Sequence, residues 1–251
     1  MMQTNSLLMA TVLGISSWAL ANSQAVFYEQ DSQRKKELFH YQLEEMPVEG
    51  GFHLKGTVRD LEGQTVYEES ADLKGIEIQK DIIDQKQTGQ KAVVEVRDGK
   101  VFFSKSTDGK TSVKEEALDG SFVMTSNFRF FVHSHWAELT SGKKVPIRFG
   151  VWERQETVGF DIFQTGEEKV RGRTDCSEVI VLKMKPSSFI IAALVKPIIF
   201  KFTKDGSKII EMNGRVAPKQ KVGSSFKDLD ADVVYSDAPS TAPASAPAPT
   251  L

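Results

Sequence analysis

The sequence is poor in cysteine, because Cys176 is its only thiol in 251 residues. A single thiol cannot form a disulfide within the chain, so the fold must be stabilised by its core alone. The thiol also lacks a resolving partner, which favours a small buried side chain over a redox centre. This composition suits a bacterial periplasm or surface better than a disulfide-stapled extracellular module.

The sequence also has nearly equal numbers of acidic and basic residues. The formal net charge is −2, and no block of lysine or arginine interrupts the chain. Nucleic-acid binding needs a basic surface that matches the phosphate backbone. We therefore expect no nucleic-acid partner.

Motifs of common catalytic chemistry are absent as well. The chain has no GxSxG elbow and no glycine-rich phosphate loop. His133-Ser134-His135 stands out among the four histidines. On a strand, His133 and His135 would point the same way and could share a zinc ion, whereas on a helix they point about 200° apart. The sequence favours a protein that is not an enzyme and has no cofactor or metal, with a hydrolase or metal site at His133/His135 as a second alternative.

No apolar run is long enough to span a bilayer comfortably. Residues 7–21, LLMATVLGISSWALA, resemble the apolar region of a secretory signal peptide, and Ala19-Leu20-Ala21 fits a cleavage site. The first six residues carry no lysine or arginine, so a membrane anchor or a buried N-terminal segment is the alternative. We predict a signal peptide over residues 1–21, no stable membrane span after its cleavage, and a periplasmic or secreted protein.

Most of the remaining chain alternates apolar and polar residues over short runs, as half-buried strands do. Dipeptides suited to positive φ separate many of these runs: Asp98-Gly99, Asp108-Gly109, Asp119-Gly120, Asp205-Gly206 and Asn213-Gly214. The predicted strands are 25–29, 38–43, 51–58, 65–69, 76–82, 92–96, 101–105, 112–115, 145–152, 158–164, 178–184, 198–202, 208–212 and 233–235.

Residues 126–142 follow a different period. Apolar and aromatic side chains recur at helical spacing, at Phe128, Phe131, Val132, His135, Trp136 and Leu139. Ser126 is a good N-cap residue, and Gly142 suits a helix end. The alternative is a strand, because residues 122–136 also alternate in part. A second, short helix is predicted over residues 189–195, between Ser188 and Pro197.

Many strands, few helices and no βαβ alternation predict a mainly β fold. We expect a large curved antiparallel sheet, a half-barrel or barrel-like, that is wrapped around one amphipathic helix, plus one short helix. The predicted domain covers residues 22–236. Residues 237–251 are rich in Ala, Pro, Ser and Thr and are predicted to form a disordered tail.

A curved sheet closed by a helix can enclose an apolar hollow. The candidate residues for binding a ligand there are Phe128, Phe131, His135, Trp136, Phe189, Ile190 and Leu194. The alternative is that these side chains fill the interior completely, since protein interiors normally pack without large voids.

Several short segments together resemble an uncharacterised family of exported, β-rich proteins of Gram-negative bacteria. They include Phe27-Tyr28-Glu29, Phe128 to Gly142, Arg154 with Phe160, Lys185-Pro186-Ser187-Ser188-Phe189 with Pro197, Gly214-Arg215 and Val233-Val234-Tyr235. The resemblance implies an exported protein and supplies no catalytic residue. The layout is also loosely similar to the half-barrels of periplasmic lipoprotein carriers, at the level of fold only.

These observations favour a non-catalytic periplasmic protein that binds an apolar or lipid-like small molecule inside the curved sheet. The first alternative is a structural or interaction protein of the cell envelope, with an envelope protein as its partner.

Overall fold

The computed structural model of the chain describes residues 21–170, 178–189 and 195–237. Residues 1–20 of the predicted signal peptide, Cys176, and residues 238–251 of the predicted tail lie outside these ranges. Residues 190–194 also lie outside them, so most of the predicted second helix does as well.

The described chain is mainly β, and its strands form one sheet. The strands are β1 Ala21–Glu29, β2 Glu37–Val48, β3 Gly51–Arg59, β4 Thr65–Lys74, β5 Glu77–Gln85, β6 Gln90–Arg97, β7 Lys100–Thr107, β8 Lys110–Ala117, β9 Phe122–Val123, β10 Val145–Val151, β11 Glu156–Lys169, β12 Glu178–Pro186, β13 Ile198–Thr203, β14 Ile209–Val222 and β15 Ser225–Asp237. Their order across the sheet is β8-β7-β6-β5-β4-β3-β2-β1-β15-β14-β13-β12-β11-β10-β9.

The connectivity follows from the turns. β1 to β8 form one meander and β9 to β15 a second, and the two meanders join where β1 pairs with β15. Every neighbouring pair is antiparallel except β9 and β10, which are parallel. Asp98-Gly99 and Asp108-Gly109 have positive φ at both residues, as the tight turns before β7 and β8 require. The predicted antiparallel sheet is confirmed.

Two details differ from the sequence prediction. β9 was not predicted, because two residues are too short for an alternating pattern to show. Asn213-Gly214 was predicted as a turn but lies inside β14, where Gly214 pairs with Ala231. A Cβ on Gly214 would lie 3.0 Å from the Ile198 side chain, so the glycine allows the neighbouring strand to approach closely. The hairpin turn falls instead at Gly223, between β14 and β15.

The sheet curls until its first meander meets the β10–β11 turn. Gln155, in that turn, donates its side-chain amide to the carbonyl oxygens of Phe103 and Ser112, both at 3.0 Å. Glu116 on β8 accepts hydrogen bonds from the backbone and the hydroxyl of Thr157 on β11. These side-chain hydrogen bonds join β7 and β8 to the β10–β11 turn and the start of β11, a contact that we call the seam. The curled sheet is the predicted half-barrel.

The predicted amphipathic helix is present but bent. α1 covers Phe128–Ser134 and α2 covers Trp136–Thr140, and His135 separates them. Phe128, Phe131, Val132 and Leu139 of the predicted stripe are buried. The chain turns away at Gly142, whose φ is 82°. The strand alternative for this segment is therefore wrong.

The helical segment begins one residue later than the N-cap prediction implied. Asn127, not Ser126, occupies the N-cap position. The Asn127 side chain is buried, donates to the carbonyl oxygens of Ile76 and Phe122, and accepts from the backbone N–H of Met124. This amide fixes the start of α1 against the loop before β5.

Two hydrophobic cores occupy parts of the concave side of the sheet. The first lies over β1 to β7 together with β14 and β15, and it includes Leu54, Ile83 and Phe103. The second lies over β10 to β13 and includes the buried face of α1 together with Phe200 and Phe202. α1 lies between them, because Phe128 stacks on Phe200 at 4.3 Å and Phe130 packs on Phe52 at 4.8 Å.

Candidate functional site

A cavity of about 430 Å³ lies between the two cores. Its described lining comes from both meanders and from the start of α1. Apolar side chains of the lining include Phe27, Leu43, Leu54, Val58, Phe128, Phe130, Phe149, Met184, Ile198, Phe200 and Met212. The interior of the half-barrel is therefore partly hollow.

The wall formed by β2 to β5 follows from strand register. In one cross-strand row, Leu43 pairs with Gly56, Gly56 with Glu69, and Glu69 with Ile83. Because side chains alternate between the two faces of a strand, the neighbouring rows on the same face lie two residues along. Those rows are Tyr41, Val58, Tyr67 and Gln85 on one side, and Glu45, Leu54, Ala71 and Asp81 on the other.

Gly56 is a position in this wall that carries no side chain. A Cβ there would lie 3.1 Å from the ring of Tyr41. The Tyr41 ring therefore leans across β3 from the neighbouring row. Burial raises the pKa of the Tyr41 phenol well above its usual value, and the nearby Glu69 carboxyl raises it further.

Arg129 of α1 crosses the interior to β2. Its Nη2 donates to both carboxylate oxygens of Glu45, at 2.6 and 2.7 Å, and its Nη1 donates to the carbonyl oxygen of Ser207 at 3.3 Å. The guanidinium also lies 4.3 Å from the centre of the Phe130 ring. These contacts connect the helix to both meanders and neutralise the Arg129 charge beside the cavity.

Glu69 and Asp81 form a buried pair of carboxyl groups. They lie diagonally across β4 and β5 on the same face, because Glu69 pairs with Ile83 and Asp81 pairs with Ala71. Asp81 is fully buried and Glu69 is 6% exposed. Ser126, just before α1, donates its hydroxyl to Oδ2 of Asp81 at 2.6 Å. Glu69 lines the cavity.

Burial sets the protonation of this pair. Burial, with the adjacent Asp81 carboxyl, raises the pKa of Glu69 well above its usual value. Burial also raises the pKa of Asp81 to about 6, against the lowering effect of hydrogen bonds from Ser126 and Glu69. The pair therefore retains a proton to a higher pH than two exposed carboxyl groups would.

The predicted ligand-binding residues that the structure describes lie in three different places. Phe128 lines the cavity. Within the described part of the chain, Phe131, His135 and Trp136 are not among its lining residues: Phe131 is buried in the second core, His135 stacks on the Phe131 ring at 4.1 Å, and Trp136 packs against Phe202.

Phe189 is 89% exposed, away from the interior. Ile190 and Leu194 lie outside the described residues. Ligand binding by any of these predicted residues stays a prediction.

His133 and His135 do not face one another. His133 is exposed, whereas His135 is half-buried and its Nδ1 lies 2.9 Å from both the Ser134 hydroxyl and the Phe131 carbonyl oxygen. Across the described ranges, no group of three or more His, Cys, Asp or Glu side chains is arranged to hold a metal ion. No helix of the described chain is long and apolar enough to cross a membrane.

Sequence reasoning missed most of the cavity. Glu69, Asp81 and Arg129 each lie in a segment that was predicted as a strand or a helix, and Glu45 lies just after the predicted strand 38–43. Nothing in the sequence pairs these residues across such distances. One signal was present: Glu69 places a carboxyl group on the same alternation phase as Tyr67 and Ala71. Asp81 gave no such signal, because Ile76, Ile78 and Ile82 alternate on the opposite phase. A charged residue at a core position is unusual enough to mark a site.

No family model and no curated protein matches the chain. Three solved structures resemble its fold. A beta-barrel-like protein of domain of unknown function DUF1849 from Brucella abortus is 11% identical, with a TM-score of 0.47, 86% of this chain and 95% of that chain covered. A putative outer membrane lipoprotein-sorting protein domain from Vibrio parahaemolyticus is 10% identical, with a TM-score of 0.26 and coverages of 87% and 83%.

The third structure is a porin-like protein from Bacteroides uniformis. It is 6% identical, with a TM-score of 0.24 and coverages of 87% of this chain and 98% of that chain. The three TM-scores range from 0.24 to 0.47. The family resemblance inferred from the sequence stays a prediction.

Proposed function

We propose that this protein binds an apolar or lipid-like small molecule in the cavity between the two meanders. The observation that supports this most directly is the cavity itself. Well-packed interiors contain few voids larger than a water molecule, so an opening of about 430 Å³ is not ordinary packing. Ligand pockets typically enclose roughly 300–1,000 Å³.

The chemistry of the lining supports an apolar occupant. Side chains from β1, β3, α1, β12 and β13 contribute Phe27, Leu54, Phe128, Met184 and Phe200 to it. Polar groups are few and lie at defined positions, notably Glu69 and the Arg129–Glu45 pair. A mainly apolar cavity with a few placed polar groups is the usual composition of a small-molecule site.

The test fills the cavity and measures binding of a neutral apolar fluorophore, N-phenyl-naphthylamine. Met212 lines the cavity and is half-buried, so Met212→Trp should occupy part of its volume. Met46 on β2 is also half-buried but does not line the cavity within the described chain, so Met46→Trp is the matched control. The wild type and M46W should bind the fluorophore equally, and M212W should bind it about tenfold more weakly.

Two results would contradict the proposal. The first is a wild-type protein that does not bind the fluorophore at all. The second is equal loss of binding in M212W and M46W, which would place the fluorophore elsewhere.

We also propose that the protein acts outside the cytoplasm. The support is the apolar run at residues 7–21 with its cleavage pattern, followed by a chain with a single cysteine. Fractionation of cells that express the whole chain, with N-terminal sequencing of the mature form, tests this. A mature N-terminus at Asn22 in the periplasmic fraction is expected, and an uncleaved cytoplasmic protein would overturn it.

A further inference from the structure

The charges that line the cavity are balanced everywhere except at one carboxyl group. Among the described residues, its cations are Arg129, Lys208 and Arg215. Arg129 pairs with Glu45, and Lys208 pairs with Asp237. Arg215 pairs with Asp228 and Asp230. The cations of the described lining are therefore all neutralised by acids.

Glu69 has no such partner. None of the ion pairs found in the described chain includes Glu69 or Asp81. Burial raises the pKa of the Glu69 carboxyl most, the adjacent Asp81 carboxyl raises it further, and a hydrogen bond with the Tyr67 phenol lowers it. Oε1 of Glu69 and Oδ1 of Asp81 are buried and accept no hydrogen bond from a donor group of the described protein. A buried oxygen without a donor costs free energy unless a proton or a ligand satisfies it.

The surroundings of the pair add no positive charge. On β4, Tyr67 and Asp72 are the nearest titratable neighbours, and both are neutral or acidic. From β2, Tyr41 lies near Glu69, with Glu45 beyond it in a separate row. The segment before α1 contributes Ser126, whose hydroxyl already donates to Asp81. α1 contributes Arg129, whose guanidinium is held by Glu45. The β10–β11 turn contributes Glu153, which lies near Tyr67.

We propose that the cavity selects an amphiphile whose polar group is a protonated amine, with that ammonium seated on the Glu69 carboxylate and its apolar chain in the cavity. This proposal rests on the proposed function, because it names the ligand class of the same cavity. The ammonium supplies the donors that the buried oxygens lack. It also places a positive charge beside Glu69, the carboxyl group of the described lining that has no cationic partner.

The geometry suits such a ligand. Glu69 lines the cavity beside Gly56, its partner in the same cross-strand row, which carries no side chain. Ser126 covers Asp81 from the side of α1, so Glu69 presents the pair to the ligand. An ammonium ion that binds here must displace the proton held between the two carboxyl groups. Binding should therefore release a proton to solvent.

The experiment measures the affinity of the intact protein for decylamine, decanol and decanoate by isothermal titration calorimetry at neutral pH. A charge-assisted hydrogen bond in a buried site should favour the amine over the alcohol by about tenfold or more. Decanoate should bind more weakly than decanol, because its carboxylate would face Glu69. Glu69→Gln should remove the preference for the amine over decanol.

A second measurement uses only the wild type, in case E69Q does not fold. Titrations of decylamine in two buffers of different ionisation enthalpy count the protons released, and we expect a net release. Decylamine affinity should also rise as the pH is raised towards about 9, where an amine resembling the lysine side chain is still protonated. Decanol should show neither effect.

The outcomes separate the two proposals. If none of the three amphiphiles binds, the proposed function fails, and this inference fails with it. If decanol binds and decylamine binds no better, or without proton release, the cavity is a ligand site but the amine assignment is wrong. Preferential binding of decanoate would overturn the assignment and place the polar group of the ligand at Arg129 instead.

Discussion

Arg129 of α1 donates from one nitrogen to both carboxylate oxygens of Glu45 on β2, 84 residues away in the chain. Glu45 is only 10% exposed at its side chain, and Arg129 is 29% exposed. Charge-assisted hydrogen bonds of this length hold the guanidinium close to the carboxylate. It holds the helical segment over the concave face of the sheet, beside the cavity.

Removal of Arg129 should leave a nearly buried carboxylate without its cation. We expect Arg129→Ala to lower the free energy of unfolding by about 2–3 kcal/mol, less than for a fully buried pair because the guanidinium is partly exposed to solvent. Urea denaturation measures this. Lys100→Ala, at the exposed pair of Lys100 with Glu115, is the control and should change stability by less than about 1 kcal/mol. Equal effects of the two substitutions would contradict this role for Arg129.

Gly206 provides the surface on which Trp136 of α2 rests. A Cβ on Gly206 would lie 2.3 Å from the Trp136 ring, whose Nε1 donates to the Lys204 carbonyl oxygen at 3.0 Å. Gly206→Ala should displace the ring and lower the free energy of unfolding by about 2–3 kcal/mol, from the positive φ and from lost packing. The shift of tryptophan fluorescence and the urea midpoint report it.

Gly109→Ala is the matched control for that substitution. Gly109 has nearly the same φ, 74° against 71°, and has nothing within 4 Å of an added Cβ. The Gly109→Ala variant should lose about 1 kcal/mol of unfolding free energy, because alanine is strained at a positive φ. Its tryptophan fluorescence should be unchanged. An equal loss in both variants would mean that Trp136 does not depend on Gly206.

Gln155 should hold the seam between the two ends of the sheet. Its buried side chain donates to the carbonyl oxygens of Phe103 and Ser112, so Gln155→Ala removes both hydrogen bonds. Alanine meets the same restriction as glutamine at a φ of 55°, so the measured effect comes from the side chain. We expect a loss of about 2–3 kcal/mol and faster amide hydrogen exchange in β8.

The control for the seam is Gln42→Ala, because Gln42 is exposed on β2. It should change stability by no more than about 0.5 kcal/mol. If exchange in β8 is the same in Q155A as in the wild type, the seam does not depend on Gln155.

Glu69 and Asp81 should make the protein less stable as the pH rises. Both carboxyl groups have a pKa above the usual value, so the folded state holds protons that the unfolded chain has already released. The contribution of this pair to the free energy of unfolding is fully present below about pH 4. It decreases as the pH rises through 6, the pKa of Asp81, and decreases further as the pH approaches the pKa of Glu69. Asp205 acts oppositely, because hydrogen bonds from Thr203 and Ser207 lower its pKa to about 2, and its contribution is lost as the pH falls towards that value.

Thermal unfolding of the wild type and Glu69→Gln across about pH 4.5 to 8 measures the contribution of the pair. The decrease in Tm over this range should be smaller in E69Q, which cannot ionise at position 69. Glu62→Gln in an exposed turn should follow the wild type. A profile of E69Q that is parallel to the wild type would show that Glu69 does not carry the pH dependence.

The sequence was a good guide to local structure because local structure depends on near neighbours. The helical spacing of Phe128, Phe131, Val132 and Leu139 correctly placed a buried stripe, and Asp98-Gly99 correctly marked a tight turn. The same rule failed at Asn213-Gly214. There the glycine allows the close approach of Ile198 on the neighbouring strand, and sequence spacing cannot reveal that contact.

The cavity could not be predicted from local sequence patterns, because its walls come from segments that are far apart in the chain. Its walls combine β2 to β4 with β12 to β14, which meet only because β1 pairs with β15. Phe128 was identified because it belongs to the helical stripe. Glu69 was missed because its position relative to Asp81 requires the register of β4 and β5.

The central claim, a ligand cavity between the two meanders, is tested most directly by methyl NMR of protein labelled at its methionines. Met184 and Met212 line the cavity, whereas Met46 and Met124 are not among its described lining residues and serve as internal references. On titration with decanol, we predict saturable shifts of the Met184 and Met212 methyl signals, with those of Met46 and Met124 unchanged. Unchanged Met184 and Met212 signals, or equal shifts at all four methionines, would contradict the account.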